Sequence, residues 1–181
     1  MRIATLDVGT NTVLLLVAGS NRPGELDAVL ERARITRLGR GVDQNRKLDP
    51  EAAARTLDTI VEFARQARDA GASRIVAVAT SALRDAADGA EFVRTVKERA
   101  AVELQIIAGQ EEAELAHLAV VHGLSIDPTA PMLVTDIGGG STELIRAEPG
   151  RELRMTSVQM GSVRLTEKFI HHDPAAPAEI E

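Results

Sequence analysis

The sequence predicts an α/β fold in two lobes, a complete first lobe over residues 1–130 and the beginning of a second over 131–181. Three observations predict it. Short apolar strands alternate with segments of helical period, the pattern of an α/β protein. An unusual unit occurs twice, in TLDVGTNTVLLLV from Thr5 and in VTDIGGGSTELI from Val134. Each copy has an apolar run, Asp-x-Gly, small and hydroxyl-bearing residues, then a second apolar run. Each also opens the same succession of strands and helix, once from Met1 and again near Met132.

The elements follow in order. Ile3 to Leu6 and Val13 to Val17 read as strands joined by a Gly-Thr-Asn turn. Ala28 to Leu38 alternates apolar residues with Arg, which suits a half-exposed third strand, and Gly39 and Gly41 break it. Asp49-Pro50 opens a helix, with Asp as N-cap and Pro at the first helical position. Leu57, Ile60, Val61, Ala64 and Ala67 keep helical spacing until Gly71. Arg74 to Ala79 reads as a buried strand. A helix from about Ala90 to Ala101, a strand from Leu104 to Ile107 and a helix from Gln110 to about His122 complete the lobe, the last with Leu115, Leu118 and Ala119 on one face. Thr129-Ala-Pro131 is the connector. Strands at Met132–Thr135, Thr142–Ala147 and about Leu153–Met160 follow, with a turn at Glu148-Pro149-Gly150 and a last helix from Ser162 to Ile170.

Composition excludes several functions. Of 181 residues, 44% are apolar and 27% charged, as in a globular protein. Three Phe and no Tyr or Trp leave an aliphatic core and little to stack on bases. A net charge of −6 argues against DNA binding. Without cysteine there is no disulfide and no thiolate metal site. The N-terminus shows no charged leader with an apolar core, and no apolar run approaches the roughly 20 residues that span a bilayer. These features are those expected of a cytoplasmic chain. Locally the charge reverses: Arg32, Arg34, Arg37, Arg40, Arg46 and Lys47 surround the single acid Asp43. Such a run suits a polyanionic ligand, and equally a solvated sheet edge.

The two Asp-x-Gly turns suggest the chemistry. Turns rich in Gly present backbone N–H groups without side-chain obstruction, and such concave arrays bind phosphate oxygens. Thr10, Asn11 and Thr12 in one turn, and Gly138, Gly139, Gly140, Ser141 and Thr142 in the other, supply the donors. A bare carboxylate beside a phosphate would repel it. Asp7 and Asp136 fit that position if they hold a hydrated Mg²⁺ or orient water. Two such turns suit a ligand gripped from both sides; tight hairpins are the plainer alternative. Arg84, just after the Arg74–Ala79 strand, has the planar fork for a phosphate, or is a helix-surface Arg. Glu111 and Glu112 open a helix, where acids also occur for dipole reasons alone. The four histidines lack metal-binding spacing, and neither a GxSxG elbow nor a GxxxxGK[ST] loop occurs.

The residues resemble the exopolyphosphatase and guanosine-pentaphosphate phosphatase (Ppx/GppA) family, within the actin/Hsp70/sugar-kinase superfamily. The matching stretches are Asp7–Thr12, Arg37–Asp43, Ala79–Asp85, Ile107–Ala113, Asp136–Glu143 and Gly161–Leu165, which span nearly the whole chain. The resemblance implies an actin-like ATPase (ribonuclease H-like) fold. It implies Mg²⁺-assisted release of the terminal phosphate of inorganic polyphosphate, or conversion of pppGpp to ppGpp. By family pattern Glu112 is the general base aligning the attacking water. Asp136 assists it or holds the metal, with Glu143 as a further metal candidate. Asn11, Arg84 and the Gly138–Thr142 turn hold phosphates. Two departures stand out. Arg46 replaces a frequent Gly, where Asn45 is expected to take the turn conformation instead. Family members also continue well beyond residue 181, so the chain reads as a C-terminally truncated form with open edges that invite a homodimer. The alternatives are a non-catalytic phosphate or nucleotide sensor, an interaction module, and a small-molecule kinase of the superfamily.

Overall fold

Alternating side chains in β1 (Arg2–Val8) and β2 (Thr12–Gly19) bury one face of each strand: Ala4, Leu6 and Val8, then Val13, Leu15 and Val17. These strands centre the larger sheet in a computed structural model that describes residues 1–20, 26–124, 126–127 and 129–180. The chain divides into two compact units, Met1–Ile106 and Ile107–Glu181, and Glu181 itself lies outside the described residues.

The first unit has a five-stranded sheet in the order β3-β2-β1-β4-β5, with β3 at Asp27–Ile35, β4 at Ala72–Ala79 and β5 at Leu104–Ile106. β1 pairs antiparallel with β2 and parallel with β4, and β5 continues the parallel side. After α1 (Val42–Asn45) comes α2 (Pro50–Asp69), which starts as its sequence predicts, Asp49 Oδ1 accepting from Ala52 N–H at 2.9 Å. It buries Ile60, Phe63, Ala64 and Ala67 on the sheet, beside Phe92 and Val96 of α4 (Gly89–Ala100), which follows the short α3 (Ser81–Asp85). Gly71 then reverses the chain at φ 80°.

Three expectations need correction here. β4 is not buried on both faces: Ala77 and Ala79 are, but Val76 is 39% exposed, alongside Leu14 and Leu16 of β2. The packed helices cover one face only. The third strand ends at Ile35 rather than Leu38, because Thr36 and its successors leave the sheet to fold against the first turn. Asn45 does not take the turn conformation; it lies within α1, and Arg46 itself caps the helix in the left-handed region, φ 54° and ψ 24°. Its N–H donates to Val42 O at 2.9 Å, and its own carbonyl accepts from Ala87 N–H at 2.8 Å, so those bonds fix the geometry. Arg46→Gly should therefore stabilise the protein by about 0.5–1 kcal/mol, read as a raised denaturation midpoint. A fall would show that the Arg46 side chain carries a contact that outweighs the backbone strain.

The second unit is an antiparallel meander of β6 (Met132–Ile137), β7 (Thr142–Ala147) and β8 (Arg154–Val158), with α5 (Gly109–Gly123) on one face and α6 (Ser162–Phe169) after it. Packing groups α5 with this sheet, whereas the sequence places the boundary at residue 130. The face of α5 also differs from expectation. Ala113, Ala116 and Val120 pack on Val134, Ile145, Met132 and Met155, while Leu115 and Leu118 are each half exposed. The helix is apolar on two sides, and the small residues allow the closer approach to the strands. No described helix is long and apolar enough to cross a membrane.

The repeat seen in sequence is also a repeat of structure. Val8 pairs with Val13 and Asp7 with Leu14; Ile137 pairs with Thr142 and Asp136 with Glu143. Both hairpins thus enclose four residues in the same register. Position by position, Thr12 corresponds to Ser141, and Leu14 to Glu143.

Candidate functional site

In the first turn Gly9 N–H donates to Thr12 O at 3.0 Å. The Thr36–Gly39 segment buttresses it from outside: Thr36 and Arg37 N–H both donate to Asn11 O at 2.9 Å, and Gly39 N–H to Thr10 O at 2.8 Å. These bonds occupy the turn's carbonyls. Among the described residues no carbonyl accepts from Thr10 or Asn11 N–H, which leaves those donors for a ligand. Asp7 sits half-buried just before the turn. Arg84 lies in α3, directly after β4, and Thr80 N–H reaches Val8 O at 3.4 Å. The parallel pairing of Val8 with Ala79 thus brings the turn and the start of α3 to one sheet edge, the carboxyl ends of the strands, where open α/β sheets bind ligands.

The second turn uses the same arrangement with a different brace. Gly138 N–H donates to Ser141 O at 2.9 Å. The first N–H groups of α6 then take the turn's carbonyls: Ser162 N–H to Gly138 O at 2.9 Å, Val163 and Arg164 N–H to Gly139 O at 2.9 and 3.1 Å. Arg164 Nε donates to Gly140 O at 2.9 Å, and Thr142 Oγ1 donates to Met160 O. No described carbonyl accepts from Gly139 or Gly140 N–H. The α6 N-terminus is therefore a support for the turn. Gly161, at the cap, touches the turn so closely that only hydrogen fits there.

Glu111 and Glu112 separate clearly. Glu111 Oε2 accepts from Ala108 N–H at 2.8 Å and caps α5, an exposed structural role. Glu112, half-buried, precedes Ala113, which packs on the sheet. Val120, two turns later, packs in the cluster that holds Met132, the first residue of β6. Ala113, next to Glu112, shares that cluster with Val134 and Ile145, which stand two residues along their strands from Asp136 and Glu143.

Cross-strand register puts Asp136, Glu143 and Ser157 on one rung of the sheet, on the face that α5 covers. Asp136 is exposed at the strand end. Glu143 is fully buried. Its Oε1 accepts from Ser157 Oγ at 2.7 Å, and its Oε2 has no partner among the described residues. Ser157 escaped the sequence analysis, because only strand register links residues so far apart in the chain.

A buried carboxylate oxygen without a donor is costly unless a cation or a proton meets it. The oxygen donors of Glu143 and Asp136 fit Mg²⁺ in kind. No described group of three acids or imidazoles forms a complete metal cage. Mg²⁺ seldom needs one, since it keeps waters and is held by one or two carboxylates plus substrate phosphates.

Fold and turns together define a member of the actin-like ATPase fold. The chain matches the Ppx/GppA phosphatase family over residues 17–181 and belongs to it. It is 38% identical over 188 residues to exopolyphosphatase 2 of Mycobacterium tuberculosis, covering 99% of this chain and 58% of the relative. An exopolyphosphatase crystal structure from Cytophaga hutchinsonii superposes with a TM-score of 0.88 at 28% identity, over 99% of this chain and 57% of that one. The Aquifex aeolicus Ppx/GppA family member gives 0.78 at 34% identity, over 99% and 58%. The chain thus spans somewhat over half the length of the relatives it matches.

Proposed function

We propose that this chain carries the catalytic core of a phosphoanhydride hydrolase that removes the terminal phosphate of inorganic polyphosphate, with pppGpp as a second substrate. Glu143 carries the reading: a fully buried carboxylate with one oxygen unpartnered, on the rung of Asp136. The corresponding position of the first hairpin holds Leu14, which is 44% exposed, so a buried acid at this place is particular to the second turn. The similarity to chains named exopolyphosphatase supports the substrate class.

In this mechanism the N–H groups and hydroxyls of the two turns, Thr10 to Thr12 and Gly138 to Thr142, hold phosphate oxygens, and Arg84 adds a guanidinium. Glu112 accepts a proton from water as its oxygen bonds to the terminal phosphorus. The bridging P–O bond breaks, and its electrons stay on the shortened chain. Orthophosphate and a polyphosphate one unit shorter are the products. Asp136 orients the water and, with Glu143, would hold Mg²⁺; Asp7 is the corresponding metal candidate of the first unit. When bound, that ion offsets the negative charge on the phosphates.

Phosphate release from long-chain polyphosphate and from pppGpp tests this, each with Mg²⁺ and with EDTA. Release that requires Mg²⁺ is expected, with polyphosphate the better substrate. Binding of polyphosphate without any turnover would favour the sensor reading and sink the hydrolase.

A further inference from the structure

The segment Thr36–Arg40 forms a knuckle locked to the first turn. Besides its three bonds to Thr10 and Asn11, the knuckle is gripped from behind: Arg55 Nε and Nη2 donate to Thr36 O at 3.0 and 2.9 Å. The contact leaves no space, since a Cβ on Gly39 would fall 2.2 Å from Thr10 Cγ2. Knuckle and turn therefore hold one geometry.

Two guanidinium side chains stand exposed on this knuckle, Arg37 and Arg40, and Arg40 N–H donates to Arg37 O at 3.0 Å. Neither has a carboxylate partner among the described residues. Arg34, in the same basic run, differs: Glu62 holds it at 2.6 Å, and its hydrogen bond keeps the Glu62 carboxyl below its ordinary pKa. Arg37 also sits at φ 54°, where any side chain strains the backbone and Gly would not. A charged residue is thus kept, at a backbone cost, beside a phosphate-binding turn.

We propose that Arg37 and Arg40 form an auxiliary anion subsite that takes further phosphates of a polyphosphate chain whose terminal phosphates lie in the Thr10–Thr12 turn. The proposal rests on the hydrolase reading. Planar guanidinium forks pair with phosphate oxygens in two-point fashion, so two of them on a rigid support favour an extended polyanion over a short one.

The test measures binding of long-chain polyphosphate, tripolyphosphate and pppGpp across a salt series. It compares the 181-residue chain, R37G/R40Q, R40Q alone, and R94Q/R99Q, which removes two exposed charges from α4. R37G/R40Q should weaken long-chain binding by about tenfold or more and lower the salt slope by about 2, roughly one per lost contact. R40Q alone should give about half that slope change, with Arg37 and its backbone intact. Tripolyphosphate should bind within about twofold of the parent, and R94Q/R99Q should change nothing. An equal loss in R94Q/R99Q, an unchanged slope in both knuckle variants, or a loss confined to pppGpp would overturn the subsite. If the parent chain releases phosphate and R37G/R40Q binds like it, the subsite alone falls. If the parent neither binds polyphosphate nor releases phosphate, the hydrolase reading falls with it.

Discussion

Glu112→Gln should abolish nearly all turnover while the protein stays folded. The expected loss in phosphate release is about 10²–10⁴-fold, the usual contribution of a positioned general base. Gln keeps the shape and hydrogen-bonding length of Glu but cannot take the proton. Polyphosphate binding should hold, because the turns and guanidinium groups proposed to grip phosphate are untouched. The neighbouring residue supplies the contrast. Glu111 caps α5 through Ala108 N–H, so Glu111→Ala should lower stability by about 1 kcal/mol and leave the rate near that of the parent. Phosphate release and denaturant unfolding on the two variants separate the roles. If Glu111→Ala lost the rate and Glu112→Gln kept it, the base assignment would be wrong.

That pair also shows where sequence sufficed and where it did not. Two adjacent acids in a first helical turn look alike in sequence, since both favour the helix dipole. The family pattern singles out Glu112, and the hydrogen bond from Ala108 N–H shows what Glu111 does instead. The strands and the Asp49-capped helix were legible because their signals are local: alternation, an N-cap, a terminating Gly. The repeated turn was legible for the same reason, and its equal register follows from equal spacing. The face of α5 was not legible. Two apolar stripes compete along it, and which one is buried depends on strands that begin later in the chain. Ser157 was missed because register, not proximity in sequence, sets it beside Glu143. Arg46 was misjudged because Asn is the usual left-handed residue after Gly, while here the helix simply runs one residue further.

Gly161→Ala should be the most damaging small substitution in the second unit. Its Cβ would fall 2.4 Å from both C and O of Gly139 and 2.5 Å from Gly140 N. These are backbone atoms of the turn, so no side chain can swing aside. Gly161 itself has φ −136° and ψ 162°, which any residue adopts, so the whole effect is steric. Relief requires moving α6 off the turn, which breaks the bonds from Ser162, Val163 and Arg164 to Gly138 and Gly139. A cost of about 3 kcal/mol is expected, the upper range for overpacking. The unit has little reserve, because its core rests on Ala113, Val134 and Ile145. Two units need not unfold together, so a single midpoint is a poor readout. Amide hydrogen exchange is the better one: protection should fall across β6 and β7 and hold across β1 and β2. Gly123→Ala is the control. It lies in α5 with nothing within 4 Å of its Cβ, so the added methyl should stabilise the helix by up to about 1 kcal/mol. Normal protection in Gly161→Ala would mean that the brace between α6 and the glycine turn yields without loss. The turn would then keep its shape by its own Gly138–Ser141 bond alone.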